Sequence, residues 1–214
     1  MKKILLILPL LVCACAPVSK VELPGPDTST LVAVKDLRPP SEETREGFSF
    51  LITSAGYGIF REGDKTLSPP MTQIFRRLVY ERLGRGSSVD ISIYHMVVYS
   101  NVKSAFRQSA AGTALGVVGA VVAGAGARGA NANISQSLVD WSAFEAAGHE
   151  EYERAFYTDA ENPEHASVYV IYIDAEVNGK RVFVRTIAPL KGQEGQSGYS
   201  LAVMSAIQYY LSQI

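Results

Sequence analysis

The chain has few of the residues on which most metal and thiol chemistry depends. Its 214 residues include two cysteines, three histidines and a single tryptophan, and both cysteines fall within the first fifteen positions. Beyond that point neither a disulfide framework nor a cysteine-based metal site can form. Lysine and arginine make no run and the formal net charge is −1, which excludes the basic footprint of a nucleic-acid-binding protein. We therefore expect no metal and no nucleic-acid partner.

The first fifteen residues have the composition of a targeting segment. Met1-Lys2-Lys3 is followed by the apolar run Ile4–Val12 and then by Cys13-Ala14-Cys15. The apolar run has about half of the roughly 20 residues that a transmembrane helix needs. A basic start, a short apolar stretch and a small-residue cleavage site together predict a signal peptide over residues 1–14. An ordinary secretory signal with two incidental cysteines is the alternative.

The end of this segment, Val12-Cys13-Ala14-Cys15, resembles a bacterial lipobox. In that family the signal peptidase cuts before the cysteine, whose thiol then carries diacylglycerol. Cys15 fits the pattern better than Cys13, because a small alanine precedes it whereas a bulky valine precedes the other. The resemblance implies a covalent lipid on Cys15 and no other cofactor. Since Ala16 rather than an aspartate follows, it also implies the outer membrane, with the domain facing the periplasm.

The rest of the chain divides into a tether, one domain and an insertion. Residues 15–30 contain three prolines and no hydrophobic periodicity, which is typical of a linker between a lipid anchor and a folded domain. Residues 31–214 have the pattern of a single domain, interrupted at about 109–133 by a glycine- and alanine-rich insertion. This length is sufficient to bury a substantial apolar core.

Alternating and helical apolar periodicities predict the elements of the domain. They are a strand at Leu31–Lys35, one or two strands within Phe48–Phe60, a helix at Ser68–Leu83, a strand at Val89–Val102, a hairpin over Val168–Ile187 and a helix at Tyr199–Ile214. The hairpin prediction is the strongest, since Asn178-Gly179 favours a type I′ turn. In Ser135–Tyr157 the apolar spacing favours a helix, with a strand as the alternative.

Two helices show apolar stripes that predict core packing. Ser68 can cap the first helix, Gly84 lies just past its end, and the stripe comprises Met71, Ile74, Phe75, Leu78 and Val79. The stripe of the closing helix comprises Leu201, Met204, Ile207, Leu211 and Ile214. We expect both stripes to pack on the sheet.

Three groups of polar residues invite a catalytic interpretation, and a structural one is stronger for each. His95 falls in phase with Ile91 and Ile93 on the alternating strand, so we expect a buried, hydrogen-bonded histidine rather than a ligand or base. Asp36 and Arg38 follow a strand end and indicate a turn with solvated charges. The segment His149–Glu153 lacks the second histidine of the zinc motif HExxH.

The insertion is the most unusual part of the sequence, because residues 108–127 carry no charge. Small residues at spacings of three and four let helices approach closely in membranes. The candidates for membrane insertion or self-association are Gly112, Gly116, Gly119, Val117, Val118, Val121 and Val122. About 20 residues could cross a bilayer as a helix or as two strands, although glycine weakens helices. A flexible, weakly apolar loop and a packed internal helix are the alternatives.

Several antiparallel strands and two helices on one face predict an α+β fold of two layers, with a mainly antiparallel sheet plus the insertion. The lipobox, the early strand and turn LVAVKDLR, the capped helix, the strand VDISIYHMVVYSNV and the late hairpin and helix resemble the YajG-like envelope lipoproteins. More distantly they resemble the CsgG-type curli export lipoproteins, which carry two separate membrane-inserting hairpins. The insertion departs from the YajG pattern, and the resemblance identifies no functional residue.

Together these observations favour a lipid-anchored, non-enzymatic binding or accessory subunit of a bacterial cell-envelope assembly. Its expected partners are membrane lipid, through the anchor, and an envelope protein. The alternative is a homo-oligomeric outer-membrane pore or export subunit, in which residues 109–133 of several copies enter the membrane. A periplasmic hydrolase is a third hypothesis, for which no catalytic motif is satisfied.

Overall fold

The computed structural model describes residues 18–25, 27, 29, 32–45, 47–53, 57–84, 88–103, 133–148, 150–157, 167–192 and 196–214. The predicted leader and Cys15 lie outside these residues, as does the predicted insertion except Asn133. The glycines and valines predicted to enter the membrane or to self-associate, and His149, therefore also lie outside them.

A sheet of seven strands is the centre of the described fold. The described strands are β1 (Ser19–Lys20), β2 (Val34–Asp36), β3 (Phe48–Thr53), β4 (Tyr57–Glu62), β5 (Leu67–Ser68), β6 (Ile91–Lys103), β7 (Ser135–Leu138), β8 (Val168–Val177) and β9 (Lys180–Pro189). The large sheet has the order β3-β4-β6-β8-β9-β7, with all these neighbours antiparallel. Strand β2 runs parallel to the start of β6, and β1 and β5 form a separate parallel pair.

Helices cover both faces of the large sheet. The described helices are α1 (Ser41–Thr44), α2 (Met71–Leu83), α3 (Trp141–Ala146), α4 (Glu151–Ala155) and α5 (Gly198–Gln213). The two long ones, α2 and α5, pack on one face, and the short α3 and α4 lie against the other. The α+β class and the mainly antiparallel sheet with two helices on one face are confirmed. Among the described helices, none has both the length and the apolar composition that crossing a membrane requires.

The hairpin of β8 and β9 forms where the sequence predicts it. Asn178 and Gly179 have φ angles of 51° and 82°, the left-handed values that a type I′ turn needs at both central residues. The turn is also bound to the residue before β6, since Asn178 donates its N–H to the carbonyl of Asp90 at 3.0 Å. Almost every residue of β8 is buried, which makes this strand the middle of the molecule.

The face that carries α2 and α5 is the main apolar core. Four of the five side chains in the predicted α2 stripe are buried and Leu78 is partly buried. In the stripe predicted for α5, Ile207 and Leu211 are buried and Met204 and Ile214 are partly buried against the core, whereas Leu201 is half-buried. The side chains that α5 turns to the core are Tyr199, Ala202, Val203, Ala206, Ile207, Tyr210 and Leu211. Because alanine side chains are small, α5 can lie close to the sheet at these positions. A stripe predicted only from the spacing of large residues leaves these alanines out.

The segment before β2 packs on the domain over residues 18–25. Ser19 and Lys20 pair with β5, and Val21 is buried. The predicted tether is therefore not free of the domain over these residues. The same pairing explains why α2 begins at Met71 instead of Ser68: the carbonyl of Ser68 accepts a hydrogen bond from the N–H of Val21 at 2.9 Å, which keeps Ser68 extended.

Candidate functional site

A bulge in β6 decides which face its polar residues occupy. Ile93 pairs with Ala175 and His95 pairs with Asp174, which leaves Tyr94 as an extra residue on β6. An extra residue shifts the alternation of side chains by one position. Ile93 therefore faces α2 and α5, while His95 lies on the opposite face, against α3. The prediction that His95 shares a face with Ile93 is wrong for this reason.

Five rings meet on that opposite face, and we call them the aromatic cluster: His95, Trp141, Phe144, Tyr172 and Phe183. The centroid of the Phe144 ring lies 5.0 Å from that of Phe183 and 5.0 Å from that of Tyr172. The imidazole of His95 lies 5.6 Å from Phe144, and the indole of Trp141 lies 5.2 Å from Phe183. These separations and the tilted or edge-on orientations are those at which aromatic rings attract one another.

The start of α3 places Trp141 at the surface of the aromatic cluster. Asp140 caps the helix, and its Oδ1 accepts a hydrogen bond from the N–H of Ala143 at 3.0 Å. Trp141 and Phe144 are three residues apart and therefore project from the same side of the helix. Phe144 is 6% exposed, whereas Trp141 is 41% exposed. The indole is thus held by ring contacts on one side and open to solvent on the other.

Arg181 extends the exposed aromatic surface. Its guanidinium binds the carboxylate of Asp174 with two hydrogen bonds, one of them from Nε to Oδ1 at 2.8 Å. It also lies 3.8 Å above the ring of Tyr94 and 5.9 Å from the ring of Trp141, within reach of cation–π attraction. The Asp174 side chain is 1% exposed and that of Arg181 is 46% exposed. We call Tyr94, Trp141 and Arg181 the Trp141 patch.

Charges in the Trp141 patch are fixed by their neighbours. Hydrogen bonding to Asp174 raises the pKa of Arg181 above its usual value. Desolvation, and then a hydrogen bond to Glu176, raise the pKa of the Tyr94 hydroxyl, which donates to Glu176 Oε2 at 3.2 Å. Both groups therefore keep their protons at neutral pH, and the patch presents one cation between two aromatic side chains.

His95 lies beneath this patch as a neutral side chain. Burial first, and then the positive charges of Arg61, Arg154 and Arg38, lower the pKa of the imidazole to about 4. Its Nε2 is buried and has no hydrogen-bond partner within the described part of the chain. The side chain is therefore partly buried, with its Nε2 fully covered, whereas the expected hydrogen bond at Nε2 is not found. The geometry fits packing against aromatic rings better than proton transfer.

A second polar group on this face fastens α4 to the sheet. Arg61 on β4 binds Glu42 Oε2 at 2.6 Å and also binds Glu151 at the start of α4. The hydroxyl of Tyr99 donates to Glu151 Oε1 at 2.8 Å, and burial raises the pKa of that hydroxyl. Glu150 and Glu153 form a reciprocal capping box at the start of α4. In the near-match to HExxH, Glu150 and Glu153 are therefore helix-capping groups and Glu151 is an ion-pair partner.

Arg38 is buried, which corrects the predicted turn with solvated charges. It is 6% exposed and binds Asp36 at 2.7 Å and Asp64 at 2.8 Å. Its Nη1 also donates to the carbonyl of Met96 on β6 at 3.2 Å. Despite its burial, the two carboxylates raise the pKa of Arg38. The sequence contains no local sign of this arrangement, because Asp64 lies 26 residues after Arg38.

A small cavity lies beside this network. It has a volume of about 10 Å³ and is lined by residues that include Glu62, Asp64, Met96 and Tyr199. Burial raises the pKa of Glu62, whose carboxylate accepts a hydrogen bond from Ser100. The space holds no more than about one water molecule. A substrate of ordinary size does not fit there.

The predicted sites and the observed one involve different residues. Cys15 and the candidate residues of the insertion lie outside the described residues, and Asp36 with Arg38 forms a structural ion pair. Within the described ranges, no three histidine, cysteine, aspartate or glutamate side chains group as metal ligands would. No family model, no curated protein and no solved structure matches this chain. The Trp141 patch is therefore assigned from its geometry alone.

Proposed function

We propose that the protein is a lipid-anchored, non-enzymatic binding subunit of a bacterial cell-envelope assembly, and that it contacts an envelope protein through the Trp141 patch. The observation that carries the binding role is the position of Trp141. Its indole is 41% exposed, yet Phe144 and Phe183 hold it within 5.4 Å and 5.2 Å between ring centroids. Binding to a preordered side chain costs little conformational entropy.

The composition of the Trp141 patch supports recognition of a protein. Tryptophan, tyrosine and arginine are the residues that contribute most often to the energetic centres of protein interfaces. Here all three lie together, and the guanidinium of Arg181 has the Asp174 carboxylate behind it and solvent in front. A partner with an acidic or carbonyl group beside an apolar surface would complement this arrangement.

The proposed anchor is supported by the sequence of the first fifteen residues. A leader that ends in Val12-Cys13-Ala14-Cys15 would place diacylglycerol on Cys15 and hold the domain at the outer membrane. Anchoring restricts the domain to a surface, which raises the effective concentration of any partner in the same membrane. A rigid binding surface and a lipid anchor together suit an accessory subunit.

Two experiments test the two halves of this proposal. Mass spectrometry of the purified native chain is expected to show an acylated amino-terminal Cys15, and an unacylated terminus would contradict the anchor. A photoreactive phenylalanine analogue at position 141 is expected to crosslink in cells to one discrete envelope protein. The same analogue at Gln208, which is exposed on the opposite face of the molecule, is the matched control. Equal crosslinking at both positions would contradict the binding site.

The uncharged stretch within residues 109–133 favours a second candidate, a homo-oligomeric outer-membrane pore or export subunit. The deciding variant combines Cys15→Ser with the intact insertion. A persistent need for detergent in that variant would support membrane insertion. A variant that is monomeric and soluble without detergent would contradict it, and deletion of residues 109–133 from the same variant is the control.

A further inference from the structure

The two edges of the large sheet are protected to different degrees. Strand β3 at one edge has a register shift between Phe50 and Ile52, and such bulges prevent a second chain from pairing with an edge. Strand β7 at the other edge pairs with β9 in regular register, and no described strand pairs with its outer side. All four residues of β7 are exposed. The stretch Ile134–Val139 contains no charge and no proline, so apart from its short length it lacks the devices that block edge pairing.

The alternation of backbone hydrogen bonds along β7 shows which of its N–H and C=O groups face the open edge of the sheet. The N–H of Val139 donates to the carbonyl of Phe183 on β9 at 2.9 Å. In an antiparallel pair, such hydrogen-bonded positions alternate with positions that point away. Ser137 and Ser135 therefore direct their backbone groups to β9. Ile134, Gln136 and Leu138 direct theirs to the open edge.

The sequence of this edge is chemically the same in both directions. Around Gln136 it reads isoleucine, serine, glutamine, serine, leucine. If a second β7 is related by a two-fold axis at Gln136, then Ile134 lies opposite Leu138 of the other chain and Ser135 lies opposite its Ser137. Outward-facing backbone groups then meet outward-facing groups, which allows about six hydrogen bonds between the chains. No like charges meet, because the strand has none.

We propose that β7 pairs antiparallel with β7 of a second copy, so that the large sheets of two chains become continuous. Such an interface is isologous, as two-fold symmetry requires. Ile134 and Leu138 are 48% and 60% exposed in the single chain. In the pair, Ile134 of each chain covers Leu138 of the other. This pairing is separate from the proposed function, which needs one copy, and from the insertion, none of whose glycines or valines contributes.

Cysteine pairs test the register directly in the full chain. Ser135 and Ser137 of the other chain form a non-hydrogen-bonded pair with Cα atoms about 4.5 Å apart, which is within the range of disulfide geometry. Residues of the same number lie on a diagonal, about 7–8 Å apart. We expect co-expressed Ser135→Cys and Ser137→Cys chains to form a disulfide-linked dimer in envelope fractions. Its yield should exceed that of either variant alone at least fivefold.

Two charge variants provide the matched control. Ile134→Lys with Leu138→Lys places like charges opposite each other, and we expect the mixed disulfide to fall about tenfold. Ile134→Glu with Leu138→Lys places opposite charges together twice and should restore the yield. The proposal would be overturned if both charge variants gave the same yield of disulfide-linked dimer. It would also be overturned if the co-expressed cysteine variants crosslinked no better than either variant alone. The chain without introduced cysteines is the negative control. If Cys15 kept a free thiol, this control would itself form a disulfide-linked dimer, which would count against the anchor and not against the pairing of β7.

Discussion

The two faces of the large sheet use the same strands for different purposes. On the face of α2 and α5, β8 contributes Ile171, Ile173 and Ala175, all fully buried. On the face of α3 and α4, the alternating residues of the same strand include Tyr172 and Asp174, which contact aromatic rings and arginines. One face is closed by the two long helices, and the other ends in an exposed indole and guanidinium. Changes on the first face should affect stability, and changes at the Trp141 patch should affect binding.

The largest effect is expected on the face of α2 and α5. Ile173→Ala removes a fully buried side chain between β8 and the long helices, and should lower the free energy of unfolding by about 2–5 kcal/mol. Urea denaturation followed by circular dichroism measures this loss. Leu37→Ala is the control, since Leu37 is 55% exposed and its truncation should change stability by no more than about 0.5 kcal/mol. Similar losses in both would refute the description of this face as the core.

The partly buried imidazole of His95 should make stability depend on pH. An unfolded histidine has a pKa near 6.5, whereas burial and nearby arginines lower the pKa of His95 to about 4. Between these values the unfolded state binds more protons, so the contribution of His95 is complete above pH 6.5 and is lost as the pH falls towards 4. The full contribution of His95 to the free energy of unfolding is about 3 kcal/mol. In the variant His95→Leu, the free energy of unfolding should depend less on pH in this range, as denaturation at several pH values can show. An unchanged dependence on pH would contradict this role of His95.

A smaller effect is expected at the buried carboxylate beneath the Trp141 patch. Arg181→Ala leaves the carboxylate of Asp174 without its guanidinium partner, although Asp174 is 1% exposed. Leaving a buried polar group unpaired should cost about 1–3 kcal/mol. The double variant with Asp174→Ala should be more stable than Arg181→Ala alone, as thermal melting can show. If the single and double variants have the same melting temperature, Arg181 does not compensate the buried charge of Asp174.

The smallest change in stability is expected at Trp141, the residue on which the proposed binding site depends. Trp141→Ala removes ring contacts at the surface and should cost about 1 kcal/mol, because α3 remains capped by Asp140 and fastened by Phe144. With position 141 occupied by alanine, a photoreactive residue at Arg181 should lose its crosslink to the envelope partner. Retained crosslinking in a folded variant would place the binding surface elsewhere.

Local patterns predict the parts of this fold that depend on near neighbours. The type I′ turn follows from Asn178-Gly179, and the α2 stripe follows from helical spacing. The faces of β6 could not be predicted in the same way, because nothing in Val89–His95 marks Tyr94 as an extra residue. The bulge is set by pairing with β8, about 80 residues later, and it moves His95 to the other face.

The candidate site depends still more on distant contacts. Tyr94, Trp141 and Arg181 come from β6, α3 and β9, and only the strand order brings them together. The burial of Arg38 likewise depends on Asp64 in the short turn before β5. The sequence does show an isolated tryptophan next to a helix-capping aspartate, which is the one local signal that could have directed attention to this surface.

Oxidative footprinting of Trp141 measures directly whether a partner covers the Trp141 patch, because the chain has no other tryptophan. Hydroxyl radicals would be applied to the full chain in envelope fractions and to the purified chain, with half-buried Met204 on α5 as the internal reference. A parallel run with Ile134→Lys and Leu138→Lys removes any contribution from pairing of β7. We expect oxidation of Trp141, relative to Met204, to be several-fold slower in the envelope. Equal relative rates in the two preparations would contradict it.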